Sequence, residues 1–319
     1  MASIKDIADQ TGYSIATVSR ILNGKGNFSE STRRRIRECA RALHYVPNEV
    51  ARSLNTGLNR LIGLLIPSVA TPFFAQLTYA IEHVAFRHGY KVLICNSEID
   101  PEIENSYIQM LNQNQVAGII MASQNENTET YQSVASPLVL IERSFSGQFS
   151  SVVSDNYGGG ILATELLIER GCRYLGHIAG SRSIKPALRR TDAFIAAAEK
   201  HGIPYLVKAE KAGCNAAVIA ETMLTECPQI DGVFCSSDEE AIALMMVANK
   251  HKISIPRQLK IVGFDGIKIA LDLGITTIKQ PIERIGEQAF LMLLEQIEQG
   301  NKEIRHEVLP VELQVGLTT

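Results

Sequence analysis

Within the first 45 residues, apolar residues recur at helical spacing in a polar, charged background, as at Ile4, Ile7 and Ala8 and again at Ile15, Val18, Ile21 and Leu22. Such spacing predicts short amphipathic helices. Ser3, with Asp6 three positions later, is a helix start signal, and Gly12 is suited to end that helix. Ser14 and Ser29 are suited to cap two further helices. Two short helices across a glycine-containing turn, braced by a third, predict a helix-turn-helix.

From Leu61 onward, short apolar runs alternate with longer amphipathic stretches. Runs this short and apolar suit parallel strands that are covered on both faces. The runs that predict strands are 61–66, 91–95, 118–121, 138–141, 174–178, 232–235, 260–264 and 311–315. The stretches that predict helices are 73–88, 103–114, 157–170, 187–200, 216–226 and 241–251. The pattern predicts an α/β region long enough for two sheets.

Charge is distributed unevenly along the chain, whose net charge is −3 over 319 residues. Residues 1–60 contain ten Lys and Arg against five Asp and Glu, a local charge of +5, which leaves −8 on the remainder. A basic head on an acidic body indicates that the head alone meets a polyanion. With 45% apolar and 20% charged residues, the composition is that of a folded protein of two or three domains.

Cysteine usage and the uncharged stretch 61–81 bear on the cellular compartment of the protein. The six cysteines form no C-x-x-C pair and no Cys/His cluster, which favours reduced thiols in a cytoplasmic protein over a zinc site or disulfide framework. We expect no secretion signal, because charges occupy the place of its apolar core. Pro67 and Pro72 interrupt the stretch 61–81, which favours a strand, a turn and a helix over a membrane span.

Enzyme motifs are missing from the sequence. Residues 158–160 are three glycines but form no dinucleotide fingerprint, and no P-loop, H-E-x-x-H or G-x-S-x-G motif occurs. A sugar enzyme is therefore a minor alternative. A transport binding protein is another, but it would need a signal peptide and would lack the basic head. We expect neither catalysis nor a cofactor or metal.

Six short segments of the sequence, taken together in their order and spacing, carry a resemblance to a known family. Residues 14–23 read SIATVSRILN, and residues 45–54 read YVPNEVARSL. Further segments are 62–67, 116–120, 262–265 and 276–281. In order and spacing they resemble the recognition helix, hinge helix and core landmarks of the lactose/galactose-repressor (LacI/GalR) family of bacterial transcription regulators. Within that family, residues 96–102 and 154–156 look most like sucrose- and ribose-operon repressors.

The resemblance implies an N-terminal all-α helix-turn-helix DNA-binding domain plus hinge helix, joined to an α/β two-lobe periplasmic-binding-protein-like effector domain. The headpiece would span 1–46, the hinge helix and linker 47–60, and the effector and dimerisation domain 61–319. Lobe 1 would comprise about 61–157 and 283–305, and lobe 2 about 158–282 and 306–319. No heptad tail follows the last predicted strand, so we expect a homodimer rather than a coiled-coil tetramer.

The resemblance places Ile15, Ala16 and Arg20 of the recognition helix at base edges. Arg20 can present a bidentate fork to guanine, whereas the other two offer only apolar contact, for instance to a thymine methyl. Core packing of Ile15 is the competing interpretation. The candidate phosphate contacts are Thr17, Ser19, Ser29 and Tyr45. Arg33 to Arg35 extend the basic surface, or form a plain solvated helix face.

The segment matching the hinge helix, residues 48–55, is too short to be stable as a helix alone. By resemblance, Leu54 of each of two subunits wedges into the minor groove. Val50 and Ala51 would pack across the dimer axis, and Ser53 belongs to the same minor-groove segment. A plain linker is the competing interpretation. Folding on DNA would make the segment a switch.

A ligand in the cleft between the lobes is also implied by the resemblance. The positions that match the family's pocket are Phe73, Phe74, Glu142, Arg143, Arg190, Asp238, Asp265 and Gln280. They follow predicted strands or begin helices, where ligands bind in open α/β sheets. Carboxylates and amides suit sugar hydroxyls, and aromatic rings supply an apolar wall. The competing interpretations are core packing for the phenylalanines, a cap for Asp238, a turn for Asp265 and a surface position for Arg190.

The sequence leaves the charge of this ligand open. Arg182, Lys185 and Arg189 cluster with Arg190 around Pro186. Several of these cations in the cleft would favour a phosphorylated or acidic sugar, whereas Arg190 alone would favour a neutral one.

The function implied is a sequence-specific transcriptional repressor of a carbohydrate-utilisation operon. Its partners would be a pseudo-palindromic double-stranded operator and a small effector such as sucrose, ribose or a sugar phosphate. The sequence leaves open whether the effector releases the protein from DNA or acts as a corepressor, with the sign of the purine repressor.

Overall fold

The computed structural model describes residues 2–45, 59–122, 131–143, 148–181, 184–209, 215–300 and 303–319. The chain divides into two compact units, residues 1–59 and 60–319. The predicted minor-groove residues Val50, Ala51, Ser53 and Leu54 lie outside the described residues, as does Arg182, so their roles stay predictions.

The first unit is built from helices α1 (Ile4–Thr11), α2 (Ile15–Leu22) and α3 (Glu30–Ala42) in its described part. The start signals act as predicted: Ser3 and Asp6 form a capping box, and the side chains of Ser14 and Ser29 cap α2 and α3. Gly12 ends α1 with a φ of 75°, a conformation that glycine adopts without strain. The predicted helix-turn-helix is confirmed.

The second unit contains two six-stranded sheets. The first has the order β11-β5-β4-β3-β1-β2, and all of its pairs are parallel. Its strands are β1 (Leu61–Ile66), β2 (Lys91–Asn96), β3 (Gly118–Met121), β4 (Leu138–Ile141), β5 (Ser150–Ser154) and β11 (His306–Leu309). The helices that pack on it are α4 (Pro72–Arg87), α5 (Pro101–Gln113) and α11 (Ile282–Gln299).

The second sheet repeats this order as β12-β10-β9-β8-β6-β7, with only β12 antiparallel to its neighbour. Its strands are β6 (Leu175–Ala179), β7 (Tyr205–Ala209), β8 (Gly232–Cys235), β9 (Lys260–Asp265), β10 (Thr276–Lys279) and β12 (Glu312–Gln314). The associated helices are α6 (Asn156–Glu169), α7 (Lys185–Lys200), α8 (Ala216–Glu226), α9 (Asp238–Lys250) and α10 (Lys268–Asp272). The predicted two-sheet α/β architecture is confirmed.

One lobe boundary differs from the expectation. Residues 306–309 were expected in lobe 2, but they form β11, which pairs with β5 in the first sheet. The expected boundary at 305/306 is therefore wrong, and the chain crosses to the second sheet only after Leu309. The pairing is supported by side chains, because the Ser151 Oγ lies 2.9 Å from the His306 Nδ1.

Four strands, β5, β7, β10 and β11, were not predicted from the hydrophobic pattern. β5 reads SSVVS, yet Ser150, Ser151 and Ser154 are buried. Their hydroxyls are satisfied by partners distant in sequence, as when the Arg305 amide donates to the Ser150 Oγ. A buried strand can carry polar side chains when each finds a hydrogen-bond partner, and such pairing leaves no apolar signal.

No helix among the described residues is both long and apolar enough to cross a membrane.

Close packing of α6 against α7 depends on Gly160. A Cβ at this position would lie 2.7 Å from the Cβ of Ala193 and 2.9 Å from the carbonyl oxygen of Arg190. Replacing Gly160 with valine should therefore force the helices apart and destabilise the protein by about 1–3 kcal/mol. The check is chemical denaturation followed by circular dichroism. Leu162→Ala, on the exposed face of α6, is the control and should change little, whereas equal stability of Gly160→Val would contradict this packing.

Candidate functional site

The exposed face of α2 carries the three predicted base-reading residues. Ile15, Ala16 and Arg20 are all exposed, while Val18 and Ile21 on the opposite face are buried in the core of the first unit. Ile15 is 53% exposed, which excludes the alternative that it packs in the core. Ile15 and Arg20 give this helix one exposed apolar and one exposed hydrogen-bonding side chain for contact with a groove.

The candidate phosphate contacts lie at helix ends and edges. The hydroxyls of Thr17 and Ser14 are 2.9 Å apart at the start of α2. Ser29 accepts a hydrogen bond from the Thr32 amide at the start of α3. Ser19 and Tyr45 are half-buried, and Tyr45 packs against the core of the first unit. Helix N-termini favour anions, so Thr17 and Ser29 are suitably placed for phosphate oxygens.

The arginines of α3 divide into two kinds. Arg33 is half-buried and donates to the carbonyl oxygens of Gly26 and Phe28, which fixes the turn before α3. Arg34, Arg35 and Arg37 are exposed. Arg33 therefore has a structural role, while its neighbours supply the positive surface of this unit.

A cavity of about 720 Å³ opens in the second unit, lined from both sheets. The carboxyl ends of β4, β8 and β9 reach it through Glu142, Ser236 and Asp265. The start of α4 contributes Phe73 and Phe74, whose rings lie 5.2 Å apart in an edge-to-face arrangement. The volume and the mixed apolar and polar wall suit a small organic molecule.

Arg190, on α7, lies at the base of the cavity and is only 8% exposed. Its Nη1 donates to the Ser236 carbonyl oxygen over 2.5 Å and lies 3.6 Å from the Asp265 Oδ1. Its Cζ is 3.6 Å from the centre of the Phe264 ring. The surface interpretation of Arg190 is wrong, because this guanidinium is held by a carbonyl, a carboxylate and an aromatic face.

Asp265 is 8% exposed and has a backbone φ of 118°, outside the regions that non-glycine residues usually occupy. Burial raises the pKa of Asp265 to about 8, against the lowering effect of Arg190. Burial likewise lowers the pKa of Arg190. The Gln280 Nε2 donates to the Asp265 Oδ1 over 2.7 Å. A carboxyl with such a pKa can both donate and accept hydrogen bonds near neutral pH.

Gln280 and Glu142 tie this centre to the first sheet. The Ser154 Oγ donates to the Gln280 Oε1 over 2.6 Å. Glu142 accepts from the Ser154 amide over 2.7 Å and from the Asn156 Nδ2 over 2.8 Å. Both carboxylate oxygens of Glu142 thus have protein partners. Ser154 and Asn156 were not predicted as site residues, although the segment 154–156 carried part of the family resemblance.

Asp238 does not join the other predicted effector residues. It is fully buried and is not part of the cavity wall. Its carboxylate accepts from the Thr277 hydroxyl over 2.6 Å and from the Ile267 amide over 2.8 Å. Burial raises the pKa of Asp238 to about 6. This corrects the expectation that Asp238 faces the cleft: its carboxylate holds α9 against the turn after β9, and Ser237 is the residue that caps α9.

Acidic side chains outnumber basic ones among the described residues that line the cavity. Among the described lining residues, the acidic ones are Glu98, Glu142, Glu239, Glu240 and Asp265, and the basic ones are Arg143, Lys185 and Arg190. Of the cations clustered around Pro186, Lys185 lines the cavity together with Arg190, so Arg190 is not alone there, whereas Arg189 is exposed and does not line the cavity. No group of His, Cys, Asp or Glu in the described ranges is arranged to hold a metal ion.

Both units match known sequence families. Residues 3–48 match the family described as bacterial regulatory proteins, lacI family. Residues 59–315 match periplasmic binding proteins and sugar binding domain of LacI family. The two matches cover the helix-turn-helix and the two-sheet region.

Curated relatives align over almost the full chain. A ribose operon repressor of Halalkalibacterium halodurans is 36% identical over 100% of this chain and 97% of the relative. A sucrose operon repressor of Pediococcus pentosaceus is 36% identical over 99% of this chain and 98% of the relative. The transcriptional repressor PurR of Yersinia pestis is 32% identical over 93% and 91%, respectively.

Solved structures share the fold. A periplasmic binding protein/LacI transcriptional regulator of Alkaliphilus metalliredigens, complexed with D-xylulofuranose, is 30% identical with a TM-score of 0.75, covering 82% of this chain and 99% of its own. The lac repressor dimer bound to operator and the anti-inducer ONPF has a TM-score of 0.89 at 23% identity, covering 100% and 99%. The second similarity concerns the fold alone.

The raised pKa of Asp265 predicts how stability depends on pH. The folded protein retains this proton up to about pH 8, whereas an unfolded chain loses it near its ordinary value of 3.8. Between these values stability falls as pH rises, because only the folded state still binds the proton. Asp265→Asn removes the titrating group, and it should make this fall shallower by at most about 1.4 kcal/mol per pH unit.

Urea denaturation between pH 6 and 8 checks this. The range begins at pH 6 because Asp238, whose pKa is raised to about 6, adds its own pH dependence below that value. Asp272→Asn, which removes an exposed carboxylate, is the matched control and should leave the slope as in the unmodified chain. An unchanged slope in Asp265→Asn would show that Asp265 does not hold a proton in this range.

Proposed function

Because the chain belongs to the LacI family of bacterial regulatory proteins, we propose that it is a sequence-specific transcriptional repressor of a carbohydrate-utilisation operon. A small sugar in the cleft controls its affinity for operator DNA. These relatives, which align over 93% or more of the chain, are repressors rather than enzymes. Since its target is chromosomal DNA, we place the protein in the cytoplasm.

The observation that carries the DNA-binding part is the exposed face of α2. Ile15, Ala16 and Arg20 are exposed together on a helix whose other face is buried. A recognition helix needs its polar and apolar contacts free on one side and a rigid support on the other. Thr17, Ser19, Ser29 and Tyr45 serve as phosphate contacts that position this helix without reading sequence.

A homodimer on a pseudo-palindromic operator is the arrangement we propose, since two-fold protein symmetry matches two half-sites. Large apolar side chains are exposed on the second unit, among them Tyr79 at 68% and Phe86 at 72% on α4. Tyr79 and Phe86 lie seven positions apart and so share one face of α4, and an exposed apolar face is typical of a protein interface. Two chains per operator are therefore the expected stoichiometry.

For the effector we propose a neutral sugar, bound by Arg190, Asp265, Gln280, Arg143 and Glu142 against the rings of Phe73 and Phe74. Carboxylates outnumber cations in the described lining, so a doubly charged phosphate would meet net repulsion. The ribose and sucrose operon repressors and the D-xylulofuranose complex among the similar proteins support a sugar.

We propose that sugar binding releases the protein from the operator. Titrating an operator complex with sucrose, D-ribose, D-xylulose and ribose 5-phosphate tests it. Release by a neutral sugar is the expected result. Tighter operator binding would make the ligand a corepressor, and a response to ribose 5-phosphate alone would contradict the neutral class.

Arg20→Ala should reduce discrimination at one base pair of each half-site by about 1–3 kcal/mol, because a bidentate arginine–guanine contact is lost. Binding to random DNA should remain nearly unchanged. The measurement is competition of operator variants in a gel-shift assay at fixed salt, since salt alone changes affinity strongly.

Arg87→Ala is the control for net charge, because Arg87 lies at the end of α4 in the second unit. It should leave discrimination intact. Equal losses on operator and random DNA for Arg20→Ala would assign Arg20 to phosphate binding instead.

Arg190→Met should abolish the sugar response and spare operator binding, because it removes the guanidinium from the base of the cavity while keeping an unbranched side chain. Isothermal titration with the sugar found above, followed by a gel shift, measures both effects. Arg189→Met, one position away and exposed, is the matched control and should respond normally. A normal response of Arg190→Met would reject the cavity as the effector site.

A further inference from the structure

Asn156 lies where the chain passes from the first sheet to the second. It is the first residue of α6, two positions after the end of β5. Asp155 just before it donates its amide to the Leu309 carbonyl oxygen and caps α6 through the Gly158 amide. Asn156 is only 7% exposed and is not part of the cavity wall. Its side chain is therefore fixed at a crossing between sheets and does not reach the cavity itself.

The amide of Asn156 contacts both sheets. Its Oδ1 accepts from the Arg190 Nε over 2.8 Å. Its Nδ2 donates to the Glu142 Oε2 over 2.8 Å and to the Ser154 carbonyl oxygen over 3.0 Å. One side chain thus links the guanidinium on α7 to a carboxylate at the end of β4.

The position of Arg190 depends on this acceptor. Two fixed neutral groups, the Ser236 carbonyl and the Asn156 amide, accept from its Nη1 and Nε. Asp265 is farther away, at 3.6 Å from Nη1. If the Asn156 acceptor were removed, the buried Nε–H would lack a partner, and the nearest carboxylate would draw the guanidinium towards itself.

We propose that Asn156 is a positioning residue for the effector site. Its amide holds the Arg190 guanidinium apart from Asp265, so that both side chains remain available to the hydroxyls of a sugar. The same amide links this arrangement to Glu142 on the other sheet. The effect on sugar affinity rests on the proposed function. The effect on Arg190 itself does not.

The direct test follows the Arg190 Nε–H by NMR in the full-length protein labelled with ¹⁵N-arginine, the resonance being assigned by its loss in Arg190→Lys. We expect hydrogen exchange at least about tenfold faster in Asn156→Leu, because a hydrogen bond to a charged group is lost. Asn112→Leu is the matched control, since Asn112 also bridges two backbone groups, on Ser133 and Ala135, but far from Arg190. It should keep slow exchange.

A donor–acceptor swap separates positioning from loss of packing. In Glu142→Gln/Asn156→Asp the amide of residue 142 donates to the carboxylate of residue 156, which still accepts from the Arg190 Nε. Of the bonds made by residue 156, only the one to the Ser154 carbonyl oxygen is lost. Slow exchange should return in this double variant even if Asn156→Leu unfolds. Fast exchange in a folded double variant, or slow exchange in a folded Asn156→Leu, would overturn the proposal.

Titration with D-ribose and sucrose gives the second measurement. We expect sugar affinity to fall about tenfold in Asn156→Leu and no further fall when the same change is made in Arg190→Lys, which keeps the charge but lacks the Nε–H, because Asn156 acts through that group. An additional fall in the Arg190→Lys background would contradict that route. If neither sugar binds the unmodified protein, the proposed sugar class fails, while the exchange experiment still decides whether Asn156 positions Arg190.

Discussion

A buried guanidinium at the junction of the two sheets is the constraint around which the second unit is arranged. Arg190 is 8% exposed. A charge removed from water costs several kcal/mol unless hydrogen bonds and an opposite charge compensate for it. The compensating groups are Asn156 at the crossing between the sheets, Ser236 after β8 and Asp265 at the end of β9. Strand register and crossing geometry must therefore be correct together before this charge can be buried.

The same burial determines which ligand the cavity suits. Desolvation raises the pKa of Asp265 to about 8, so around neutral pH this group occurs both as the carboxylate that pairs with Arg190 and as the protonated acid. Such a group both donates and accepts, as does a sugar hydroxyl. A neutral ligand can exchange hydrogen bonds with this pair without bringing in a further charge to be desolvated. A phosphate would have to be stabilised by cations that already have carbonyl and carboxylate partners, such as Arg190.

Much of the fold could be predicted from hydrophobic periodicity, because buried parallel strands and capped helices have strong local signals. The bounds of β1, β3 and β4 agree with the predicted runs. β5 was missed because its buried serines are satisfied by residues more than 120 positions away, His306, Arg305 and Gln280. Asp238 was misplaced for a related reason: position after a strand shows that a carboxylate is near the cleft, but not which way it faces. Long-range hydrogen bonding is invisible to a local pattern.

The site residues found only in the structure, Ser154 and Asn156, illustrate the same limit, and their hydrogen bonds link the two sheets at the cleft. In the described chain the passages between the sheets follow β5, β10 and β11. The first two carry the polar side chains that link Glu142, Gln280 and Asp265 into one network. Hydrogen bonds of 2.6 to 2.8 Å do not stretch gradually when sheets rotate; they are kept or exchanged for others. A ligand that touched both sheets would therefore select between discrete arrangements of these bonds, and discrete arrangements are what a regulator with two DNA affinities requires.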